Sequence, residues 1–269
     1  MIALLVVTIL GSIMIYYITQ TKNSPWKEEL DYAAGFLFSQ YNSQLRLCSE
    51  APNVAPNIYW LASDNFLAYP AIKPYYPDIA QQIYLELERR DGFQSGVYEP
   101  LFGQSIPLPI KEKITYTLEQ GDNYVIKTDI HNYTANHPHF PHWDEYANLL
   151  ICTALSQYWA GNVTEAISLF DKAVDMWDGK GLSDRAIEEA PPNLRGLYET
   201  YKLALLLYAS RIFERPLPFQ TELETILWSM QRDTDGGIVT HYNASLVPMG
   251  DANTETTSLT LIAFNYTPN

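Results

Sequence analysis

Residues 2–21 carry no charged side chain, and residues 2–18 (IALLVVTILGSIMIYYI) are almost wholly apolar. As a helix, those seventeen residues rise about 26 Å, close to the roughly 30 Å hydrocarbon core of a bilayer. Nothing comparable follows, so the sequence reads as a body of some 245 residues held by one N-terminal segment. The expected division is a transmembrane anchor over residues 1–21 and a folded domain over 22–269. A secretory signal would show a basic start and a small-x-small cleavage site. Here no basic residue precedes the apolar run, and Tyr16-Tyr17-Ile18 at its end are bulky. An uncleaved anchor is therefore the reading, with a cleaved signal as the alternative.

Orientation rests on weaker signals. Lys22 and Lys27 follow the segment, which by positive-inside counting keeps that side in the cytoplasm. Four N-x-S/T sequons, at Asn132, Asn162, Asn243 and Asn265, argue for a body outside the cell. Cys48 and Cys152 are the two cysteines. A disulfide between them suits an oxidising compartment, and two buried free thiols are the alternative. The expected location is a membrane-anchored, extracytoplasmic glycoprotein at the cell surface, with the bilayer as partner through residues 2–20.

The net charge of −14 excludes nucleic-acid binding through counterion release. Aromatics make up 13% of the chain, with 20 Tyr and 6 Trp, which speaks for a folded domain rather than a disordered one. Rings in such number suit a surface that stacks on sugar faces, or serve as helix contacts.

Along the body, helical apolar spacing covers residues 26–41, 59–71 and 77–90. Residues 96–110 are rich in Pro and Gly, and residues 113–130 alternate around Gly121-Asp122 as a β-hairpin. This is the expected β-rich insertion, around residues 95–135. Beyond it, residues 144–158, 164–177, 197–213, 221–231 and 254–264 read as helices with short connections, hence antiparallel hairpins. Several helices open on a carboxylate: Asp64, Glu145, Glu199 and Glu255. The last three lie 54 and 56 residues apart, the spacing of a two-helix repeat. Acids are also common in any first helical turn, where they meet the positive end of the helix dipole.

Residues 231–264, with Gln231, Asp235-Gly236-Gly237 and Asn253-Thr254-Glu255-Thr256, resemble the repeats of α/α-toroid proteins. These include the terpenoid cyclases, prenyltransferases and six-hairpin glycosidases. Residues 143–181 are similar to glycosidase-type helical hairpins. The resemblance implies a mainly α chain whose inner helices start with polar residues facing a central funnel. Eight or nine helices, against twelve in a full ring, imply an incomplete toroid. The cyclases' D-x-D-D motif is absent, so the resemblance does not extend to terpene chemistry.

If the inner helices converge, Asp64, Glu145, Glu199 and Glu255 ring one mouth. Glycoside cleavage needs two carboxyls about 5 to 9 Å apart, one acid and one base or nucleophile, and such a ring supplies them. Trp60, Trp143, Tyr201 and Tyr242, with His241 beside the last, are the expected substrate-binding groups. His139 and His142 lie in HNYTANHPHFPHWDE, a loop leading into Glu145. Its histidine spacing matches no established metal motif, so neither metal nor cofactor is expected. No P-loop, dinucleotide fingerprint, G-x-S-x-G or zinc-protease helix is present. The sequence leaves two functions open: a carbohydrate-binding or glycoside-cleaving protein, or a non-catalytic surface protein that binds a partner.

Overall fold

The computed structural model describes residues 25–52, 59–93, 95, 97–108, 112–132 and 141–266. Its helices sort into two kinds by burial. α2 (Ala62–Ile72), α4 (Ala147–Trp159), α7 (Thr200–Ile212) and α9 (Thr254–Asn265) are buried nearly all round. α1 (Lys27–Gln40), α3 (Pro77–Arg89), α5 (Val163–Val174) and α8 (Gln220–Ser229) leave one side in solvent. The spacing of buried residues shows why. α3 buries Ala80, Ile83 and Leu87, and α5 buries Ala166, Phe170 and Ala173, a single stripe at helical period. α7 instead buries every residue from Lys202 to Ser210 and so belongs inside.

Packing follows from this. The buried helices form a row in the order α2, α9, α7, α4, and α3, α1, α8 and α5 pack against them from outside. α6 (Ala186–Glu189) is a single turn between α5 and α7.

The strands are short, and three of them deliver the chain into the buried row. β3 (Tyr59–Leu61) runs straight into α2, β6 (Tyr198–Glu199) into α7, and β8 (Pro248–Ala252) reaches α9 through Asn253. β1 (Tyr41–Asn42) and β2 (Leu47–Cys48) form a small antiparallel pair. β4 (Glu112–Gln120) and β5 (Val125–Asn132) are the hairpin read from the sequence, bulged at Thr117/Glu119, and β3 adds to β5 in parallel. β6, β7 (Val239–Tyr242) and β8 make an antiparallel sheet that pairs Glu199 with His241.

The mainly α, incomplete-toroid expectation with one hairpin insertion and a transmembrane helix is therefore corrected. Among the described residues about 50% are helix and 16% strand, in three small sheets. Strands of two or three residues are too short to show an alternating pattern. β3 and β6 therefore fall inside the helices that the sequence predicts over 59–71 and 197–213. Among the described residues no helix is long and apolar enough to cross a membrane, and residues 2–20 lie outside those described.

The Asp235-Gly236-Gly237 turn has a definite mechanical role. Gln231 Nε2 donates to Gly236 O at 3.0 Å and to Glu29 O at 2.8 Å, fastening the turn to α1. Gly236 sits at φ 81°, where a Cβ would overlap the Tyr32 carbonyl. Left-handed backbone costs a non-glycine residue about 1–2 kcal/mol and overpacking about 1–3 more. Gly236→Ala is therefore expected to lose about 2 to 5 kcal/mol in urea unfolding. An unchanged midpoint would disprove the close approach.

The expected Cys48–Cys152 disulfide is not formed. Both are buried free thiols, and Cys48 Sγ faces Leu37 O at 3.5 Å. Burial pushes each thiol up to about 12, with the charges of Asp64 on Cys48 and Glu99 on Cys152 adding to it. Thiolate is the reactive form, so neither cysteine should label with iodoacetamide at pH 8 until denaturant is added. Rapid labelling of the native chain would contradict this burial.

The sequons differ in access. Asn162 is exposed, while Asn243 Oδ1 accepts from Ser245 N and Val247 N at 2.9 and 3.1 Å in its turn. Asn265 Nδ2 is buried, and its Oδ1 accepts from the Tyr75 hydroxyl at 3.2 Å. No glycan fits on that nitrogen in the folded chain. Of Asn132 only the backbone, at the end of β5, is described.

Candidate functional site

The N-terminal ends of all four buried helices open onto one cavity of about 450 Å³. Each N-cap has extended backbone: Leu61 before α2, Tyr146 before α4, Glu199 before α7 and Asn253 before α9. An extended N-cap turns the first helical residues toward the point where the chain enters. Parallel helices side by side therefore bring their first turns together. Asp64 lies in the third helical position of α2, Glu199 is itself an N-cap, and Glu255 lies in the second position of α9. All three line the cavity, together with Tyr201.

Glu145 does not. It falls one residue before the N-cap of α4, inside a 3-10 turn (Trp143–Glu145), and that phase aims it elsewhere. Its carboxylate pairs with Arg185 Nη1 at 2.7 Å and with His142 Nδ1 at 3.2 Å. Asp144 beside it pairs with Lys172 at 2.6 Å, and Asp144, Glu145, Lys172 and Arg185 line a separate surface groove. Tyr146 and Asn148 occupy α4's share of the cavity instead.

The expected aromatic and histidine groups divide similarly. Trp60 is 2% exposed and sits edge-on to Tyr124 at 6.4 Å, a core residue rather than a sugar platform. Tyr242 is fully buried, stacked on Tyr198 at 5.3 Å with its hydroxyl donating to Lys180 O at 2.9 Å. Trp143 packs half-buried against the core. His142, in left-handed backbone at φ 56°, is exposed. His139 lies outside the described residues.

Sequence reasoning missed Glu50, Tyr98, Asp129 and Asn148, all in the cavity wall beside Asn253. Asn253 was detectable as an N-cap, since its side chain accepts from Thr256 N at 2.9 Å. Glu50 reaches the site because Thr254 N donates to its carbonyl at 2.8 Å, a contact between segments 204 residues apart.

The electrostatics give the carboxylates different surroundings. Glu199 Oε2 is 2.5 Å from Lys202 Nζ, an ammonium only 2% exposed. Lys202 in turn lies 2.6 Å from Asp184 Oδ2, which also accepts from Ala147 N at 2.8 Å. Glu199 is thus the outermost of three linked groups, with Lys202 and Asp184 beneath it. Glu255 Oε1 accepts from the Tyr98 hydroxyl. Burial first, and then the Glu255 charge, push the Tyr98 phenol well above its usual value, so it remains a donor. Burial likewise raises Tyr201 well above its usual value, with Glu199 and Glu255 adding to it. Among the described residues no group of three or more His, Cys, Asp or Glu is arranged to hold a metal ion.

A second cavity of about 290 Å³ adjoins the first, with Glu199 and Tyr146 in the walls of both. His241, the cross-strand partner of Glu199, lines it. Burial lowers the His241 pKa, opposed by the Glu199 charge. The architecture thus assembles one carboxylate-rich chamber from four helix starts, with an annex across Glu199. No known protein family, curated protein or solved structure matches this chain.

Proposed function

We propose that the main chamber binds a carbohydrate and that its carboxyl groups cleave a glycosidic bond. The observation that carries the reading is the convergence of Asp64, Glu199 and Glu255 from three helix starts on one aromatic-walled cavity. Cleavage needs one carboxylate able to act as base or nucleophile and one carboxylic acid. Glu199 takes the first role, because its Oε2 lies 2.5 Å from the buried Lys202 Nζ and in the wall of both cavities. The acid comes from Asp64 or Glu255, and single amide variants separate the two. Tyr98, Tyr146 and Tyr201 offer ring faces and hydroxyls to sugar rings and hydroxyl groups.

The reading places the body outside the cell, supported by the sequons at Asn162 and Asn243. The cavity's acidic lining gives no purchase to nucleic acid.

One observation favours a non-catalytic binding role instead: Glu199 and Glu255 already have protein partners, Lys202 and Tyr98. The test is an oligosaccharide screen of the full chain, read by calorimetry and by release of reducing sugar. Turnover of a bound glycan supports the enzyme, and binding without turnover supports the binder. Neither binding nor turnover across neutral, acidic and amino sugars would refute the carbohydrate reading altogether.

A further inference from the structure

The annex differs in character from the main chamber. Apart from the Glu199 and Tyr146 that it shares with the main chamber, its wall is made by Ala186, Ala190, Pro191, Leu194 and Leu197, with His241 at the sheet side and one carboxylate of its own, Glu189, which is bonded to the Tyr146 hydroxyl. The main chamber shows Glu50, Asp64, Asp129, Glu199 and Glu255. The boundary between them is one carboxylate, Glu199, and one ring, Tyr146.

The apolar wall is a built feature. Ala190 N donates to Ala186 O at 2.9 Å and closes α6. Leu194 N and Arg195 N both donate to Pro191 O, at 2.8 and 3.0 Å. Gly196, at φ 81°, then donates its N–H to Ile187 O at 2.8 Å, which folds the segment back on α6. Leu194 and Leu197 remain only partly covered. From the other side, the Tyr146 hydroxyl donates to Glu189, holding the dividing ring in place. Because burial disfavours the charged form of His241, the annex presents no cation at neutral pH.

We infer that the ligand is a glycoside with an apolar aglycone, its sugar in the carboxylate chamber and its alkyl or aryl group in the annex. This rests on the carbohydrate reading and narrows it. A polar chamber and an apolar chamber meeting at the proposed reacting carboxylate match the two halves of such a molecule on either side of its glycosidic oxygen. A volume of about 290 Å³ takes one aromatic ring or a short alkyl chain. Hydrolysis there breaks the bond from the anomeric carbon to the aglycone oxygen. Water supplies the hydroxyl that the sugar gains and the proton that the released alcohol gains.

The test titrates the full chain with the methyl and hexyl glycosides of glucose, galactose and mannose, both anomers, below micelle formation. Each buried methylene is worth about fourfold in affinity, so hexyl should bind at least about tenfold tighter than methyl for the accepted sugar. Leu194→Asp should bring the hexyl-to-methyl ratio down to about one, and Leu197→Asp serves if the first variant folds poorly. Equal binding of methyl and hexyl glycosides overturns the aglycone subsite while leaving the carbohydrate reading in place. Hexanol binding as tightly as the hexyl glycoside also overturns it, because the sugar then contributes nothing. Failure of every glycoside to bind removes the carbohydrate reading, and the inference with it.

Discussion

Asp184→Ala is expected to cost about 3 to 5 kcal/mol of stability, as breaking a buried ion pair from one side generally does. The Asp184 and Lys202 side chains are 1% and 3% exposed and meet at 2.6 Å. Asp184 Oδ2 also accepts from Ala147 N at 2.8 Å, and Oδ1 from Ala186 N at 3.1 Å. One carboxylate therefore serves α4, α6 and α7 together. Alanine leaves the Lys202 ammonium with Glu199 alone and the first amide of α4 without its acceptor. For a chain of this size each kcal/mol shifts the melting point by about 2 to 4 °C. The fall should be roughly 6 to 20 °C by calorimetry, using the same factor. Lys202→Met should cost less, because Asp184 keeps both amide donors and the methionine stem fills the lysine's place. If Lys202→Met proves the more damaging, the amide contacts are not what holds this junction.

Glu199→Gln should lower glycoside hydrolysis by about 10²- to 10⁴-fold, the usual span for losing a positioned acid or base. Glutamine keeps the size of the side chain and can still accept from Lys202 through its oxygen. It cannot ionise, so it serves neither as base nor as nucleophile. The melting point should therefore move little while turnover collapses. Glu145→Gln is the internal control, because Glu145 faces Arg185 and His142 in another groove. A Glu145→Gln enzyme as crippled as Glu199→Gln would relocate the chemistry and end the present assignment.

The two carboxylates differ in a way that explains how far the sequence could be read. Helix starts announce themselves through local pattern: an acid or Asn followed by an apolar run. Asp64, Glu199, Asn253 and Glu255 all carry that signal, and all four line the cavity. Glu145 carries it too, yet lies one residue outside its helix, and a shift of one residue turns a side chain by about 100°. Local pattern does not resolve a boundary that finely. The aromatics show the reverse problem. Trp60 and Tyr242 have the composition of a sugar platform, but their place is decided by contacts to Tyr124 and Tyr198, tens of residues away. Glu50 and Tyr98 could not be found locally, since what brings them to the site is their long-range bonding to α9. The β3 and β6 strands are equally silent, because two or three residues show no period and exist only through partners in β5 and β7.

The position of α9 has a consequence for how the chain comes to be folded. It fills the gap between α2 and α7, and it also touches α1. Thr254 N and Oγ1 bond the carbonyls of Glu50 and Ser49, at 2.8 and 2.6 Å. The middle of the row is thus supplied by residues 254–265, made 204 residues after Glu50 and well after both α2 and α7. During synthesis α2 and α7 must wait with their facing apolar sides uncovered. Non-local closure of this kind slows folding, and exposed apolar surface invites aggregation while it lasts. A nascent chain halted before residue 254 would also lack Glu255 and the wall it completes. The wall that Glu255 completes and the middle of the row therefore arrive together, with α9.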